Sequence, residues 1–266
     1  MKAMILAAGY GMRLRPLTER TPKPLLPVGG QPLVVWNLLL LKQHGITDAL
    51  INVHYRGDQI VEALGDGSRY GMRLAYSHEP IILGTGGGIK QAQPYFENSR
   101  CLVLNGDTLS ACDLTMLLKT HVASRALATL ALRADPFASQ WGAVTLTDDS
   151  RILQIKGEPP IADYPSTAGS QPAIDTTGLT GYMFSGAHVL EPAVMDAIPP
   201  GPGSIIDVYI DLLRLGQPLA GYQMSGYWSD IGTPERYAAA ERDVARGLLS
   251  PPQNAPAGAV AFKRSL

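Results

Sequence analysis

Two cysteines and five histidines in 266 residues leave little from which to build a disulfide scaffold or a nitrogen–sulfur metal cage. Cys101 lies in an apolar run and Cys112 a few residues later, so two buried or half-buried thiols are expected rather than a bridge. His54, His78, His121 and His188 share no ligand spacing and read as ordinary core or surface residues. Charge of one sign is missing as well. The chain carries 22 basic and 23 acidic residues, a formal net charge of −1, which gives no global field and argues against nucleic acid as a partner. Any anion must therefore be met by a local cluster of cations. No window approaches the roughly 18 uninterrupted apolar residues of a spanning helix. The N-terminal MKAMILAAGYG lacks the apolar length and the small-residue cleavage site of a signal peptide, and a cytoplasmic location is expected. Internal repeats are absent, which removes a hexapeptide-repeat coil.

What remains is 45% hydrophobic and 17% charged, a composition suited to a packed core. KAMILAA reads as a strand buried on both faces, LVVWNLLLLKQHG as a helix with Pro32 in its first turn and Gly45 at its stop. ITDALINVHY, LAYSHE, CLVLNGD and ALATLALRA follow as strands, with DQIVEAL and LTMLLKTHVAS as helices between them. This alternation predicts an α/β fold, Rossmann-like and doubly wound, with a mostly parallel sheet. Ligands of such sheets bind beyond the carboxyl ends of the strands, where this chain has GYGMRLR, HEPIILGTGGG and NGD. From Trp141 onward the pattern changes. GAVTLTDDSRILQIKGE predicts a hairpin, residues 158–177 a long loop, LTGYMFSGAHVL a strand and SIIDVYIDLLRLG an amphipathic helix. LAGYQMSGYWSDIG predicts a final strand pair, and TPERYAAAERDVARGLL a helix capped by Thr233. The domain expected is 1–248, with a nucleotide-binding core over 1–140, a smaller added lobe over 141–248 and a poorly ordered tail over 249–266.

The first loop carries the chemistry. Gly9-Tyr10-Gly11 directly follows a buried strand, where glycine lets backbone N–H groups approach a phosphate. No Gly-Lys-Ser/Thr closes it as a Walker A loop, and Leu14 holds the place of the third glycine of a dinucleotide fingerprint. Arg13, Arg15 and Lys23 add cations within the same loop, and Pro16, Pro22, Pro24 and Pro27 stiffen it, reducing the entropy lost when those cations are fixed on a ligand.

LAAGYGMRLRPLTERTPKPLLPV resembles the signature of the sugar-1-phosphate nucleotidyltransferases, and EPIILGTGGGI, LVLNGD, WGAV, LTGYMFS and GYWSDIGTPERY continue the resemblance in family order to about residue 240. The short members, which act on mannose, heptose or N-acetylmuramate 1-phosphates, are the most similar in extent. The resemblance implies attack of a sugar-1-phosphate oxygen on the α-phosphorus of an NTP, with pyrophosphate leaving. It assigns Arg13 to the β- and γ-phosphates, Lys23 to the α-phosphate and sugar phosphate, and Asp107 with Asp230 to a shared Mg²⁺. Leu6, Ala8, Gly9 and Gly11 would meet the nucleotide from one side, and Gly84, Thr85 and Gly86 from the other. Gly142, Lys156, Thr180 and Gly181 would form the sugar site, although Ile155-Lys156-Gly157-Glu158-Pro159 departs from the Glu-Lys-Pro of many members. Trp141 and Trp228 read as packing groups.

By the same resemblance, Glu79 lies where relatives place the side chain that reads the base edge. A carboxylate there accepts from both N1–H and the exocyclic amine of guanine, which points to GTP with mannose-1-phosphate or a heptose-1-phosphate. The alternatives are UTP with N-acetylmuramate- or glucose-1-phosphate, CTP on the same fold, and a non-catalytic regulatory subunit that binds an NDP-sugar. A sensor could dispense with Arg13, Lys23, Asp107 or Asp230, and all four are present. A monomer or homodimer without nucleic-acid or membrane partners is expected.

Overall fold

The computed structural model describes residues 1–160 and 181–250, so the 158–177 loop from residue 161 and the tail from residue 251 lie outside the described residues. The chain begins with β1 (Lys2–Leu6), a short hairpin of β2 (Pro27–Val28) and β3 (Gln31–Pro32), α1 (Leu33–Gln43), β4 (Asp48–Val53), α2 (Gly57–Leu64) and β5 (Arg73–His78). Then come α3 (Gly84–Ala92), β6 (Cys101–Asn105), β7 (Thr108–Ser110), α4 (Leu114–Ser124), β8 (Ala128–Ala134), α5 (Ala138–Trp141), β9 (Val144–Leu146) and β10 (Ile152–Ile155). From residue 181 onward come β11 (Tyr182–Leu190), α6 (Pro192–Ala197), α7 (Ile205–Arg214), β12 (Leu219–Gln223), β13 (Trp228–Asp230) and α8 (Pro234–Ala245). No helix among the described residues is long and apolar enough to cross a membrane.

These elements form two compact units, each discontinuous in sequence. The first is drawn from Met1–Ile82, Leu104–Ala111 and the described residues of Gly226–Leu266, the second from Leu83–Val103 and the described residues of Cys112–Ser225. In the first unit β1, β4 and β5 pair in parallel, in register from Lys2↔Asp48 to Leu6↔Asn52 and on to Asn52↔Ser77. Apolar runs such as AMI and ALINV are buried along their length, as both faces of a parallel sheet require. Helix α1 is buried continuously from Leu33 to Leu41, which explains its lack of a polar face. A core of Leu14, Leu26, Val28, Trp36, Leu109 and Ile231 packs with Tyr237 and Val244 of α8. Thr233 caps α8 by accepting from Arg236 N–H, as the sequence predicts.

The second unit holds a mixed set of strands. β11 runs antiparallel to β8 and β9, β9 and β10 form the expected hairpin, and β12 joins β8 in parallel. Helix α7 is amphipathic and buries Val208, Tyr209, Leu212 and Leu213. Cys101 and Cys112 are unbridged and buried, and burial pushes both thiols up to about 12.

The structure corrects the sequence expectation in one place. LAGYQMSGYWSDIG is no strand pair: β12 adds to β8, whereas β13 pairs with β7, the short strand that follows Asn105-Gly106-Asp107. The glycine cluster is a helix. Built onto Gly86, a Cβ would lie 3.1 Å from Ser204 C, and on Gly87 it would lie 2.2 Å from Gly201 O, so α3 is glycine-rich because backbone presses against it.

Candidate active site

The first unit gathers the cationic loop and both carboxylates into one corner. After β1 the chain turns through three 3₁₀ segments, Met12–Leu14, Leu17–Glu19 and Lys23–Leu25. Gly11 is left-handed, and its carbonyl accepts from Leu14 N at 3.0 Å and Thr18 Oγ1 at 2.8 Å, closing the turn. Leu14 is buried in the core beneath, which leaves the neighbouring Arg13 exposed. The resulting cleft, about 350 Å³, is lined by Gly9, Gly11, Arg13, Lys23, Asp107 and Gly232 among others.

Asp107 and Asp230 meet because of strand register. β13 pairs with β7 so that Asp230 lies opposite Thr108, and Ile231 N donates to Asp107 O at 3.1 Å. Lys23 is 8% exposed and its ammonium reaches Asp107 Oδ2 at 2.6 Å. Arg236 donates to Asp230 Oδ2, also at 2.6 Å. Burial raises the Asp230 carboxyl above its ordinary range, and the charge of Asp107 raises it further. Lys23, Arg236 and Arg13 pull it back. Gly232 fits against this group: a Cβ there would lie 2.8 Å from Asp230 Oδ2 and 3.1 Å from Arg13 Nη2. Three cations thus surround two carboxylates, and the charge of Asp107 opposes the ionisation of Asp230. No cluster of three or more His, Cys, Asp and Glu exists among the described residues, so a metal here would have two protein carboxylates.

At the end of β1, Leu6 O accepts from Gly106 N at 2.9 Å, so that carbonyl is engaged within the fold, while Ala8 is buried and Gly9 exposed. Glu79 is only 4% exposed, and its Oε1 accepts from Asn52 Nδ2 at 2.7 Å. Gly84, Thr85 and Gly86 belong to the second unit, in the first turn of α3. There Thr85 Oγ1 accepts from Ile205 N and Gly86 N donates to Gly203 O, both at 2.9 Å.

A second cleft, about 560 Å³, lies within the second unit and is lined by Ser139, Gln140, Gly142, Ala143, Lys156 and Gly157. Lys156 and Gly157 are the two left-handed residues of a tight turn closed by reciprocal Ile155 and Glu158 backbone bonds. The turn lays the lysine stem against Gly142, 2.7 Å from where a Cβ would sit, with Lys156 exposed. Glu158, by contrast, pairs with Arg214 at 3.1 Å. Gly181 precedes β11, packed near Ala138, and Thr180 lies outside the described residues. Trp228 is half-buried opposite Ser110, and Trp141 closes α5.

Sequence reasoning missed Asn52, His54, Tyr10 and Arg236. Asn52 had a signal: it is the one polar residue inside ALINV, and a buried polar group demands a partner. Arg236 had none, since its role depends on α8 turning it back to Asp230.

Residues 2–247 match the Nucleotidyl transferase family. The chain is 39% identical over 237 residues to the N-acetylmuramate alpha-1-phosphate uridylyltransferase of Neisseria meningitidis serogroup B, covering 88% of this chain and 94% of that enzyme. It is 34% identical to the mannose-1-phosphate guanylyltransferase of Mycobacterium tuberculosis, covering 94% of this chain and 66% of that protein. The solved structure of a UDP-glucose pyrophosphorylase complexed with UDP-glucose has the same fold, with a TM-score of 0.74 at 18% identity over 92% of this chain and 98% of that one. The chain belongs to the nucleotidyl transferase family and is a sugar-1-phosphate nucleotidyltransferase, joining an NTP to a sugar 1-phosphate with release of pyrophosphate.

Proposed function

We propose that the enzyme is a Mg²⁺-dependent uridylyltransferase that takes UTP and N-acetylmuramate 1-phosphate. The observation carrying the chemistry is the Lys23–Asp107 contact at 2.6 Å beside an Asp230 whose carboxyl Asp107 helps to raise. In the reaction an oxygen of the sugar phosphate forms a bond to the α-phosphorus, the bond from that phosphorus to the bridging oxygen breaks, and pyrophosphate leaves. The nucleophile is already largely dianionic at neutral pH, its second pKa being about 6, so no general base is needed. Positioning and charge stabilisation remain as the work of the protein.

Arg13, exposed at the cleft, holds the β- and γ-phosphates and meets the charge that grows on the leaving group. Lys23 serves the α-phosphate and the incoming sugar phosphate. The two carboxylates suit a hard divalent cation, which Asp107 and Asp230 would hold, since Lys23 and Arg236 each engage only the Oδ2 of its partner. Bound there, Mg²⁺ would neutralise phosphate charge. Its removal by a chelator abolishes turnover on this reading. Lys156, exposed at the second unit's cleft, takes the phosphate contact that the lysine of Glu-Lys-Pro makes in relatives.

The uracil assignment rests on two supports. The Neisseria relative matches over nearly its whole length and is named for UTP chemistry. Glu79, on which a guanine preference depends, is buried with one oxygen already accepting from Asn52. Pyrophosphate release with Mg²⁺, crossing four NTPs with a panel of sugar 1-phosphates, tests the proposal. UTP with N-acetylmuramate 1-phosphate is expected to be fastest. Preference for GTP with mannose-1-phosphate would overturn the substrate assignment and return Glu79 to the base edge. Release with no pair would leave a binding role in place of catalysis.

A further inference from the structure

At the carboxyl end of the first unit's parallel strands, one buried polar cluster has no part in the phosphate chemistry. Asn52, in β4, is 2% exposed amid apolar neighbours. Its Oδ1 accepts from Ala7 N at 2.7 Å, at the residue where β1 ends and the glycine loop begins. Its Nδ2 donates to Glu79 Oε1 at 2.7 Å. The orientation of the amide follows from its partners. Ala7 N–H can only donate, so the amide oxygen faces the loop and the nitrogen faces Glu79. Glu79 also reaches the loop by a second route. Its backbone carbonyl accepts from His54 Nδ1 at 2.7 Å, and the ring's other nitrogen, Nε2, lies 3.3 Å from Tyr10 OH. Tyr10 is the central residue of Gly9-Tyr10-Gly11, its ring edge-on to His54 at 5.5 Å.

Glu79 thus ties down both ends of the segment that leads from β1 into the phosphate loop, Ala7 through Asn52 and Tyr10 through His54. We infer that Asn52 is a positioning residue for nucleotide binding, and that the Glu79 carboxylate acts through Asn52 to hold the loop rather than on the base. A backbone N–H held at two hydrogen bonds' remove from a buried carboxylate has little freedom, and the groups that follow it are fixed before the nucleotide arrives. The inference rests on the reading of that loop as the nucleotide's seat.

A polarity swap tests it. In Asn52→Asp the side chain still accepts from Ala7 N, but its second oxygen faces the Glu79 carboxylate, and like charges repel. In Glu79→Gln the side-chain oxygen still accepts from Asn52. In the double variant the new amide at position 79 donates to the new carboxylate at position 52, restoring the bond with its direction reversed. The UTP dissociation constant, measured calorimetrically with Mg²⁺, is expected to rise about tenfold or more in N52D and a few-fold in E79Q, and to return to within about threefold of wild type in N52D/E79Q. The effect should fall on KM for UTP more than on kcat, with the preference for UTP over GTP unchanged in E79Q. The inference is overturned if E79Q alone changes that preference tenfold, or if the double variant binds as weakly as N52D. Should N52D fail to fold, E79Q decides by its preference for UTP over GTP, and the double variant by whether it folds and binds UTP within about threefold of wild type. Binding is read separately from turnover: a wild type that binds UTP but releases no pyrophosphate strikes the proposed reaction and leaves this inference standing, and one that binds no nucleotide overturns both.

Discussion

Gly232→Ala tests whether the corner built by Arg13, Lys23, Asp107 and Asp230 acts as one site. The glycine backbone lies outside the left-handed region, so alanine can adopt it without strain. The new methyl would sit 2.8 Å from Asp230 Oδ2, 3.2 Å from Asp230 Oδ1 and 3.1 Å from Arg13 Nη2, where ordinary contact begins at 3.4 Å. The nearest carboxylate oxygen must therefore retreat by about 0.6 Å, and that same oxygen accepts from Arg236 at 2.6 Å. Both obstructing groups are side-chain ends that can swing aside, so the cost to folding is expected below about 1 kcal/mol. Catalysis by positioning is less forgiving, and a displacement of this order costs up to about 10²-fold in rate. Pyrophosphate release measured beside a thermal melt separates the two effects. Turnover within about threefold of wild type, in a protein of unchanged melting temperature, would refute the idea that Asp230 and Arg13 act from these positions.

Asp230 must be ionised to hold a cation, and its carboxyl already lies above the ordinary range because of burial and Asp107. Arg236 is one of the charges that lower it, so Arg236→Met should raise it further and move the acid limb of the pH–rate profile to higher pH. A limb that stays in place or moves down would remove Arg236 as its counter-charge. Gly106→Ala would drive a Cβ to 2.6 Å from Leu6 O, a backbone atom with no room to yield, and would strain the Gly106 N–Leu6 O bond. A loss of about 2–3 kcal/mol is expected by chemical denaturation. Cys101 and Cys112, with thiols pushed up to about 12, should resist a thiol reagent until the protein unfolds, and rapid native labelling would contradict their burial.

Much of this could be read from the chain because local signals and tertiary demands agreed. LTMLLKTHVAS became α4 over the same residues, started by Asp113 accepting from Met116 N–H. The GYGMRLR loop was legible because glycines and cations after a buried strand have few other uses. Where the two disagreed, packing prevailed. Gly84–Ala92 is helical against the propensity of its glycines, because the turn around Gly201–Ser204 leaves no space for side chains. β12 and β13 follow each other in sequence but find partners in different sheets, a choice set by distant strands. Glu79 was singled out by resemblance alone, and its bond to Asn52 depends on the β4–β5 register, which no local pattern reveals.

In the proposed reaction Asp107 and Asp230 jointly hold a divalent cation with the nucleotide. Titration of Mn²⁺ into the enzyme with UTP, followed by electron paramagnetic resonance, tests it without turnover. Wild type should show a nucleotide-dependent site, and Asp107→Asn and Asp230→Asn should each weaken it at least about tenfold. A site unchanged by either substitution would contradict the shared-metal account.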